Sequence, residues 1–578
     1  MVSTGQLEIF RHALKSVVEE MGTTLQRTAY STNIKIRRDH TCALFDSQLR
    51  HIAQHDLAPQ HIGSLVSVVP QTVRELDDEL QPGDGLLIND PYKGAVHLPD
   101  VMLISPLFHE GAIIGYAANS AHHVDIGGGV PGGIPNDSTE LYAEGIVLPG
   151  VHAVEDWEYR GTVIDFLLRN VREPEMRRGD YRAQLGANRR GEQRYADLCD
   201  RYAGEIEEHL DALLNYTERR VRAAIEALPD GYYEASDEMD GDGIVDEPVR
   251  VALTIGIEGD EMSLDFTGTA EQRRGPLNCT PAMAFAGAMA VVMAFIGGDL
   301  PKNDGFYRPL EMVTPEGTIV NPIGNAPVAG GWEIAMRIGD LVTKAMAEAT
   351  PEETIAATKG IVCNIAYGGH DPRDDENYVY YETVAGGYGA RAAKDGLDAV
   401  QTHFQNTANS PIEELESEIP VHVREYSLRQ DSAGAGRQRG GMGVRRDYEF
   451  YGDDATFSLL TDRTRSPPWG LFDGHSAGPS RFVRNPETED ETTLAPKSTT
   501  ELEPGEVVSV RTPGGGGYGD PTDRDPERVL ADVRDGAVSV EHAREEYGVV
   551  VEDGRINDAA THERRAQLND TDMEAGSQ

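Results

Sequence analysis

Residues 89–129 read NDPYKGAVHLPDVMLISPLFHEGAIIGYAANSAHHVDIGGG. Two runs in this stretch, 101–108 and 112–120, are apolar and rich in β-branched residues, a pattern typical of strands. Only residues 109–111, which include a glycine, separate them, so we expect a tight turn. The sequence therefore predicts an antiparallel hairpin with polar residues at its open end.

The length of the turn predicts the register of this hairpin. If Phe108 pairs with Ala112, Leu98 lies opposite His122. Asp100 then lies diagonally from His122 on the same face, because side chains alternate between faces along a strand. Residues 22 positions apart in the sequence thereby come within reach of one another.

The open end of the hairpin has the composition of a metal site. Pro99 interrupts the first strand, and a bend there can bring His97 toward Asp100 and His122. Two imidazoles and a carboxylate suit zinc, manganese or iron(II) and leave positions free for water or substrate. The alternative is polar residues that bond to backbone at a strand end. His122 and His123 face opposite sides of a regular strand, and we predict His122 as the ligand.

Composition excludes several classes of protein. The 578 residues include 98 acidic and 52 basic side chains, for a formal charge of −46, and only eight lysines. An acidic surface with arginine in preference to lysine predicts a halophilic protein, since salt screens the repulsion. An ordinary acidic protein is the alternative. No basic stripe is present, which argues against nucleic-acid binding.

Cysteine and hydropathy patterns predict a soluble, cytoplasmic protein. The cysteines at positions 42, 199, 279 and 363 are isolated, with no CxxC pair, so neither a zinc knuckle nor a disulfide framework is indicated. No signal-peptide pattern opens the chain. The longest apolar run, 282–298, is rich in alanine and glycine and lacks basic flanks, which favours a buried helix over a membrane span.

Periodicity outlines the remaining elements. Helical spacing occurs at 7–21 (with Thr4 as cap and Gly22 as end), at 55–69 (with His61 near the start), over most of 163–228, at 338–349 and in two short segments within 522–548. Strand patterns occur at 42–54, around Asp46-Ser47, and as a hairpin at 249–257 and 262–266.

These elements predict a large, multilayer, mixed α/β (α+β) protein. We expect an N-terminal α/β region with the metal site at 1–230, a glycine-loop-rich β/α region at 231–522, and a C-terminal extension at 523–578. The boundary near residue 230 follows from its Pro-Asp-Gly turn. The polar segment beyond about residue 562 is predicted to be disordered.

Glycine clusters are the most unusual feature of the second half. They are ETVAGGYGA (382–390), DSAGAGRQRGGMG (431–443) and RTPGGGGYGDP (511–521). None continues as a phosphate-binding Gly-Lys-Ser/Thr loop or matches a dinucleotide fingerprint. They predict tight turns or close backbone packing, in which glycine supplies positive φ.

Several motifs occur in order between residue 4 and about residue 550: IKIRRDHTCALFD, NDPYKGAVHLPD, SAHHVDIGG, PGGIPNDSTELYAEG, RRGDYRAQLGANRRG, YYETVAGGYGA, LRQDSAGAGRQRGGMG and RTPGGGGYGDP. Through these motifs the chain resembles the hydantoinase B/5-oxoprolinase family. The family includes N-methylhydantoinase B subunits, the C-terminal half of fused 5-oxoprolinases, and α subunits of acetone carboxylase-like enzymes. This chain departs from the family at Ala95-Val96, where a glycine and a threonine are frequent, and matches more loosely at 330–340.

The resemblance implies a hetero-oligomer. In such systems a hydantoinase A-type, ATP-binding subunit phosphorylates the substrate oxygen, and the B-type chain completes the reaction. In the acetone carboxylase relatives the corresponding His-x-x-Asp and downstream histidine bind manganese. Carried over, these ligands fall on His97, Asp100 and His122, and manganese or zinc is the expected metal.

The leading functional prediction is an ATP-dependent hydrolase of a small cyclic amide, of the N-methylhydantoinase or 5-oxoprolinase type. Phosphorylation makes the carbonyl oxygen a leaving group, and water of lowered pKa could attack the carbon. Asp39, His61 and His123 are candidate acid/base groups. Arg38 and Arg337 are candidates for holding a substrate carboxylate or phosphate. The alternatives for these five are structural roles.

Two alternative functions stay open at this point. The chain could be the α subunit of an ATP-dependent ketone carboxylase, in which the metal stabilises an enolate that attacks CO2. It could also be a non-catalytic scaffold for the A-type partner. The intact ligand set argues against the scaffold.

Overall fold

The computed structural model describes residues 2–55, 57, 61–77, 79–297 and 299–575. Within these residues the helices are α1 (Thr4–Thr28), α2 (Thr32–Lys35), α3 (Ile62–Arg74), α4 (Gly161–Arg169), α5 (Pro174–Tyr202), α6 (Ile206–Glu226), α7 (Pro281–Ile296), α8 (Asp304–Tyr307), α9 (Gly331–Met346), α10 (Ile412–Glu418), α11 (Pro526–Arg534), α12 (Val540–Glu545) and α13 (Asp558–Ala575).

The strands form several separate sheets. They are β1 (His40–Asp46), β2 (His51–Gln54), β3 (Gly85–Ile88), β4 (Asp100–His109), β5 (Ala112–His122), β6 (Pro149–Glu155), β7 (Glu158–Tyr159), β8 (Gly231–Met239), β9 (Val249–Glu258), β10 (Glu261–Asp265), β11 (Leu310–Val313), β12 (Asn364–Asp371), β13 (Glu376–Thr383), β14 (Val421–Leu428), β15 (Val444–Phe450), β16 (Asp454–Leu460), β17 (Arg481–Arg484), β18 (Thr492–Thr493), β19 (Lys497–Leu502), β20 (Val507–Arg511), β21 (Val551–Glu552) and β22 (Arg555–Ile556).

A seven-stranded antiparallel sheet in the order β2-β1-β5-β4-β3-β6-β7 holds the predicted hairpin at its centre. Alternate residues of its strands enter different cores: Phe45 and Met102 pack in the core that contains α3 and α7, whereas Leu44 and Ala117 pack in the core that contains α1 and α5. Both faces are therefore covered, which explains why β4 and β5 are apolar along almost their whole length.

The second half contains three further layers. A four-stranded sheet, β11-β10-β9-β8, packs on α9. Two more sheets, β13-β12-β16-β19 and β14-β15-β20-β17-β18, share one core in which Tyr367 contacts Tyr448 and Phe457. The prediction of a multilayer α+β protein is confirmed.

The largest core crosses the predicted boundary at residue 230. It joins Met102 of the first sheet to Leu253 of β9 and Met289 of α7. The division of the chain into three regions stays a prediction. Within the described residues, no helix combines the length and apolar character that crossing a bilayer requires.

Two predicted helix ends are wrong. Gly22 lies inside α1, where it gives the His55 ring room to pack, and the helix begins after Ser3 in a capping box instead of at a Thr4 cap. Residues 558–575 form α13, so residues 562–575, which we predict to be disordered, are helical.

The glycine clusters pack backbone against backbone, and among their glycines only Gly519, with a φ of 74°, has a positive φ. A Cβ on Gly440 would lie 1.8 Å from the Gly515 carbonyl oxygen, and one on Gly516 would lie 2.0 Å from that of Trp469. Hydrogen bonds such as Gly434 N–H to Gly515 O, 2.9 Å, join the segments. The clusters are thus a packed layer that has no space for side chains.

Candidate metal centre

The hairpin forms with a register that differs from the predicted one. Asp100 pairs directly with His122, and the register shifts between Leu107 and Phe108. Positive φ at both Glu110 and Gly111 allows a two-residue turn, not the predicted three-residue one. The prediction that Leu98 faces His122 is therefore wrong. The actual register brings Asp100 even closer to His122.

His97, Asp100 and His122 converge on one point. Nδ1 of His122 lies 3.0 Å from Oδ1 of Asp100 and 3.3 Å from Nε2 of His97. Nε2 of His97 lies 3.1 Å from Oδ2 of Asp100, yet that oxygen accepts no hydrogen bond from the described residues. All three side chains are buried. Each of the three offers one ligand atom, and these atoms all lie within 4.8 Å of one another, so the group could hold a metal ion.

These distances fit a shared metal ion. With metal–ligand bonds of about 2.1 Å, adjacent ligand atoms lie roughly 3.0 Å apart in octahedral and roughly 3.4 Å apart in tetrahedral geometry. Burial holds the pKa of His122 below its usual value and so favours the neutral imidazole. Burial opposes ionisation of Asp100, but His97 and His61 hold the pKa of its carboxyl well below the usual range. Neutral imidazole and ionised carboxylate are the forms that bind metals.

Local sequence explains how the ligands reach this point. Asp90 caps a short 3-10 turn that ends at Gly94, which has φ of 89°. Asn89 then donates from its side chain to the Leu98 carbonyl at 2.8 Å and fixes the loop that carries His97. The backbone N–H of His123 donates to Pro99 O at 2.9 Å. Pro99 thus bends the chain without breaking its connection to β5.

Asp39 and His61 form a second polar pair next to the ligands. Nε2 of His61 lies 3.6 Å from Oδ1 of Asp39, and its Nδ1 lies 3.2 Å from Oγ of Ser120 and 3.9 Å from Oδ2 of Asp100. Burial works against a charged His61, but Asp100 and Asp39 together raise its pKa. Of this pair only Asp39 lines the small cavity at the ligands.

Residues distant in sequence complete the walls. The Tyr381 ring stacks on His122 at 4.6 Å between centroids, and the Trp332 ring meets His97 edge-on at 6.0 Å. Phe404 packs on Trp332 at 5.5 Å. The cavity they enclose is about 20 Å³, room for about one water molecule. No local sequence pattern links these aromatic residues to the hairpin, and sequence reasoning missed them.

His123 lies on the opposite face of β5. Its Nε2 is 3.0 Å from Oε1 of Gln184 in α5, and its ring packs on Tyr181 at 4.4 Å. Burial lowers its pKa to about 4, so the imidazole is neutral. The structure does not bring His123 to the ligands.

The two predicted substrate arginines also lie elsewhere. Arg38 is exposed and has a positive φ of 61°. Arg337 is fully buried in ion pairs, 3.0 Å from Asp462 and 3.2 Å from Asp237, which leaves it no free face for a substrate. The neighbour Arg37 is the buried one.

Arg37 connects the wall of the site to the hairpin through hydrogen bonds. Its guanidinium donates to Tyr381 O at 2.7 Å and to Oγ1 of Thr383 at 3.0 Å, and it lies over the Tyr381 ring. It also donates to Oδ1 of Asn33 at 2.6 Å. Asn33 in turn donates to the His122 carbonyl at 2.9 Å, so these residues join β13 to the end of the hairpin.

The sequence pattern described as hydantoinase B/oxoprolinase matches residues 4–521, or nine-tenths of the chain. The chain belongs to the hydantoinase B/oxoprolinase family. Individual relatives also match along most of the chain, up to 97% of it.

Full-length relatives in this family include proteins with and without an assigned activity. An uncharacterized protein of Methanocaldococcus jannaschii is 37% identical, covering 94% of this chain and 96% of its own. The B-type polypeptide of a putative D-/L-hydantoinase from a Pseudomonas species is 34% identical, covering 97% of both chains. The caprolactamase beta subunit of Pseudomonas jessenii is 32% identical, covering 97% and 98%.

Two solved structures share the fold. The ATP-dependent caprolactamase from Pseudomonas jessenii aligns with a TM-score of 0.90 at 32% identity over 98% of this chain and all of that chain. The nucleotide-free acetone carboxylase aligns with a TM-score of 0.92 at 20% identity over 98% and 83%. The second likeness shows the fold alone.

Proposed function

We propose that this hydantoinase B/oxoprolinase family chain is the B-type subunit of an ATP-dependent hydrolase of small cyclic amides. We also propose that His97, Asp100 and His122 hold a divalent metal ion, manganese or zinc. The observation that carries the metal proposal is that buried nitrogen and oxygen atoms of all three side chains lie 3.0 to 3.3 Å apart, with His122 next to one Asp100 oxygen and His97 next to the other.

A partner subunit supplies the ATP chemistry in this proposal. The chain has no Gly-Lys-Ser/Thr phosphate loop. One full-length relative is named as the B component and another as the beta component of an enzyme, and the caprolactamase with the same fold is named ATP-dependent. We therefore place phosphorylation of the substrate oxygen on an A-type partner in a hetero-oligomer.

The proposed reaction on this chain begins with an O-phosphorylated cyclic amide. Water adds to the activated carbon and gives up a proton to a base. The carbon–nitrogen bond breaks, the nitrogen takes a proton, and an acyl phosphate is left. A second water then replaces the phosphate, so one carboxylate, one amine and one phosphate result. A divalent metal ion supplies Lewis-acid polarisation of oxygen in such sites.

We assign acceptance of the first proton to Asp39. It lines the cavity, and although burial opposes its ionisation, His61 and His122 lower the pKa of its carboxyl. His61, 3.6 Å behind it, is a positioning residue that also bonds to Ser120. The aromatic rings of Trp332, Tyr381 and Phe404 exclude other water, which protects the acyl phosphate.

Reconstitution tests the proposal. The chain is purified in high salt without a chelating column, combined with its A-type partner, and supplied with ATP, magnesium and each candidate substrate. Lactams, 5-oxoproline and hydantoins are compared with small ketones plus bicarbonate. We expect ADP formation that is coupled to ring opening of one cyclic amide.

Two results would reject the proposal. ADP formation coupled to carboxylation of a ketone would assign the chain to a carboxylase instead. No substrate-dependent ADP formation, together with normal assembly of the two subunits, would favour a scaffold. Elemental analysis of the same preparation should find about one divalent metal ion per chain, and its absence would remove the metal site.

A further inference from the structure

Lys359 is a buried cation that only neutral groups stabilise. Its ammonium group donates to Gln401 Oε1 at 2.6 Å, to the Val384 carbonyl at 2.7 Å and to Gln405 Oε1 at 3.1 Å. No carboxylate of a described residue forms an ion pair with it, although the residue is fully buried. Burial lowers the pKa of Lys359 to about 8, so the amine is charged at neutral pH and requires the oxygens that surround it.

The ammonium group fixes the orientation of the Gln405 amide. An ammonium group has donors and no acceptor, so the amide oxygen must face Lys359 and the NH2 group must point away from it. The Gln405 nitrogen makes no hydrogen bond to another residue that the structure describes. It is also not one of the fully enclosed side-chain atoms that lack a partner, so it retains accessible surface. Two N–H donors are thus available, and a charge sets their direction.

Gln405 lines the small cavity at the candidate metal centre. The same wall contains Asp39 and the three candidate ligands, His97, Asp100 and His122. The cavity of about 20 Å³ has room for about one water molecule, so a group of that size touches its surrounding side chains at once. A donor in this wall therefore reaches the same atom as Asp39 and the candidate ligands do.

The two threonines of the same wall already have partners. Oγ1 of Thr383 lies 2.9 Å from Oγ1 of Thr407 and also accepts from Arg37 at 3.0 Å. The carboxylates of the wall would repel a negative oxygen in the cavity. The Gln405 N–H groups, with the charge of Lys359 on the other side of the amide, favour such an oxygen.

We propose that Gln405 is a catalytic residue whose amide N–H donates to the oxygen held in the cavity, and that Lys359 is the positioning residue that aims this amide. The role rests on the proposed function, in which that oxygen belongs to the attacking water. Asp39 accepts the proton of this water, and negative charge grows on the oxygen as it adds to the activated carbon. An N–H that already points at the oxygen stabilises this charge without reorganisation.

Two matched substitutions test the donor in the reconstituted pair of subunits. Gln405→Glu keeps the size of the side chain and an oxygen for Lys359 but removes both N–H donors. Gln401→Glu makes the same change at the other glutamine that accepts from Lys359, and this residue does not line the cavity. We expect kcat and kcat/KM to fall together by roughly tenfold to 100-fold in Gln405→Glu, as loss of a hydrogen bond to a charged group predicts, and by less than about threefold in Gln401→Glu.

A measurement on the chain alone does not depend on turnover. Fluoride is an anion about the size of a water molecule, and it is titrated by calorimetry into the manganese-loaded chain without ATP or partner. We expect fluoride to bind Gln405→Glu about tenfold or more weakly than wild type, and Gln401→Glu within about threefold of wild type. Both variants add one negative charge beside Lys359, so an equal loss in the two would reflect charge alone and would overturn the role of the donor.

The positioning role of Lys359 is tested by a double-mutant cycle. Lys359→Met removes the charge that orients the amide, so kcat should fall about tenfold, and addition of Gln405→Ala should cause little further loss. If Lys359→Met does not fold, Lys359→Arg, which keeps the charge and changes its geometry, takes its place. Losses that multiply in the double variant would reject a positioning role through Gln405.

This role and the proposed function fail separately. If Gln405→Glu alone weakens fluoride binding but the reconstituted pair opens no cyclic amide, the donor stands and the reaction is rejected. If ring opening occurs and Gln405→Glu retains the wild-type kcat, the proposed function stands and the role of Gln405 is rejected. Failure of the wild-type chain to bind fluoride would also overturn that role.

Discussion

The adjacent histidines of β5 allow a decisive test of the metal site. His122→Asn removes a ligand atom that lies 3.0 Å from Asp100 and 3.3 Å from His97. His123→Asn removes a histidine of equal burial on the opposite face of the strand. The two variants make the same substitution at adjacent positions of one strand, so each serves as a control for the other.

The expected magnitude for metal binding follows from the number of ligands. Four-ligand zinc sites are worth about 10–16 kcal/mol, or roughly 3 kcal/mol for each ligand. Since about 1.4 kcal/mol corresponds to tenfold in affinity, His122→Asn should weaken metal binding by roughly 100-fold. His123→Asn should leave metal affinity unchanged, because its ring contacts Tyr181 and Gln184.

Both variants should lose stability when metal is absent. His122→Asn loses its stacking on Tyr381, worth about 0.5–1.5 kcal/mol, and its hydrogen bond to the buried Asp100 carboxylate, worth about 1.5–3 kcal/mol. His123→Asn also leaves Gln184 without its buried hydrogen bond, which costs about 1–3 kcal/mol. With metal at about 100 times the wild-type Kd, metal adds about 2.7 kcal/mol, and after a roughly 100-fold loss of affinity this increment should fall to about 0.4 kcal/mol in His122→Asn.

The measurements are metal titration by calorimetry and denaturant unfolding with and without the metal. Circular dichroism of both variants without metal shows whether each retains the fold. The reasoning is refuted if His122→Asn binds metal as tightly as wild type. Loss of metal in His123→Asn, with metal retained in His122→Asn, would transfer the ligand role to His123.

Three further predictions concern stability. Burial raises the pKa of Glu333 to about 7, so the folded state holds a proton that the unfolded state releases near pH 4.5. The resulting contribution to the free energy of unfolding, up to about 3 kcal/mol, is present below pH 4.5 and is lost as pH rises toward 7. Glu333→Gln should flatten urea-unfolding stability over that window, and an unchanged slope would contradict the shift. Gly440→Ala should lower the free energy of unfolding by about 3 kcal/mol or more, because its Cβ would lie 1.8 Å from a carbonyl oxygen. The control is Gly161→Ala, whose Cβ would have nothing within 4 Å and which should be as stable as wild type. Equal stabilities of the two variants would refute the packing argument. Because of the −46 charge, the melting temperature should rise as KCl increases from about 0.1 to 1 M and the Debye length falls from about 10 to 3 Å, and a salt-independent value would argue against halophilic adaptation.

The hairpin could be predicted because its information is local. Two apolar strands and a glycine-containing turn were enough to place Asp100 and His122 on one face, and the structure has them paired. The predicted register puts Leu98 opposite His122, whereas the structure puts Asp100 there. The positive φ at Glu110 and the irregularity after Leu107 leave no clear sequence pattern, so this difference could not be predicted. A shift of two residues keeps Asp100 on the same face of the hairpin as His122, so the predicted proximity of these two residues did not depend on the exact register.

The rest of the site could not be predicted, since it depends on contacts between distant segments. Trp332 and Phe404 lie more than 200 residues from His97 and reach it only through the packing of α9 and the loop after β13. The sequence contains no signal that separates the adjacent Arg37 and Arg38, so it predicts Arg38 and misses the buried Arg37. Only the turn, in which Arg38 takes a positive φ, determines which of the two is buried.

Buried arginines give the low lysine content a second cause. The largest fully buried side chains are arginines, among them Arg446, Arg463 and Arg524, and these bond to buried or half-buried carboxylates. A planar guanidinium with five donors can satisfy several acceptors at once, which an ammonium group does less well. Arginine at such positions is needed for the fold at any salt concentration, so only the exposed arginines bear on halophilic adaptation.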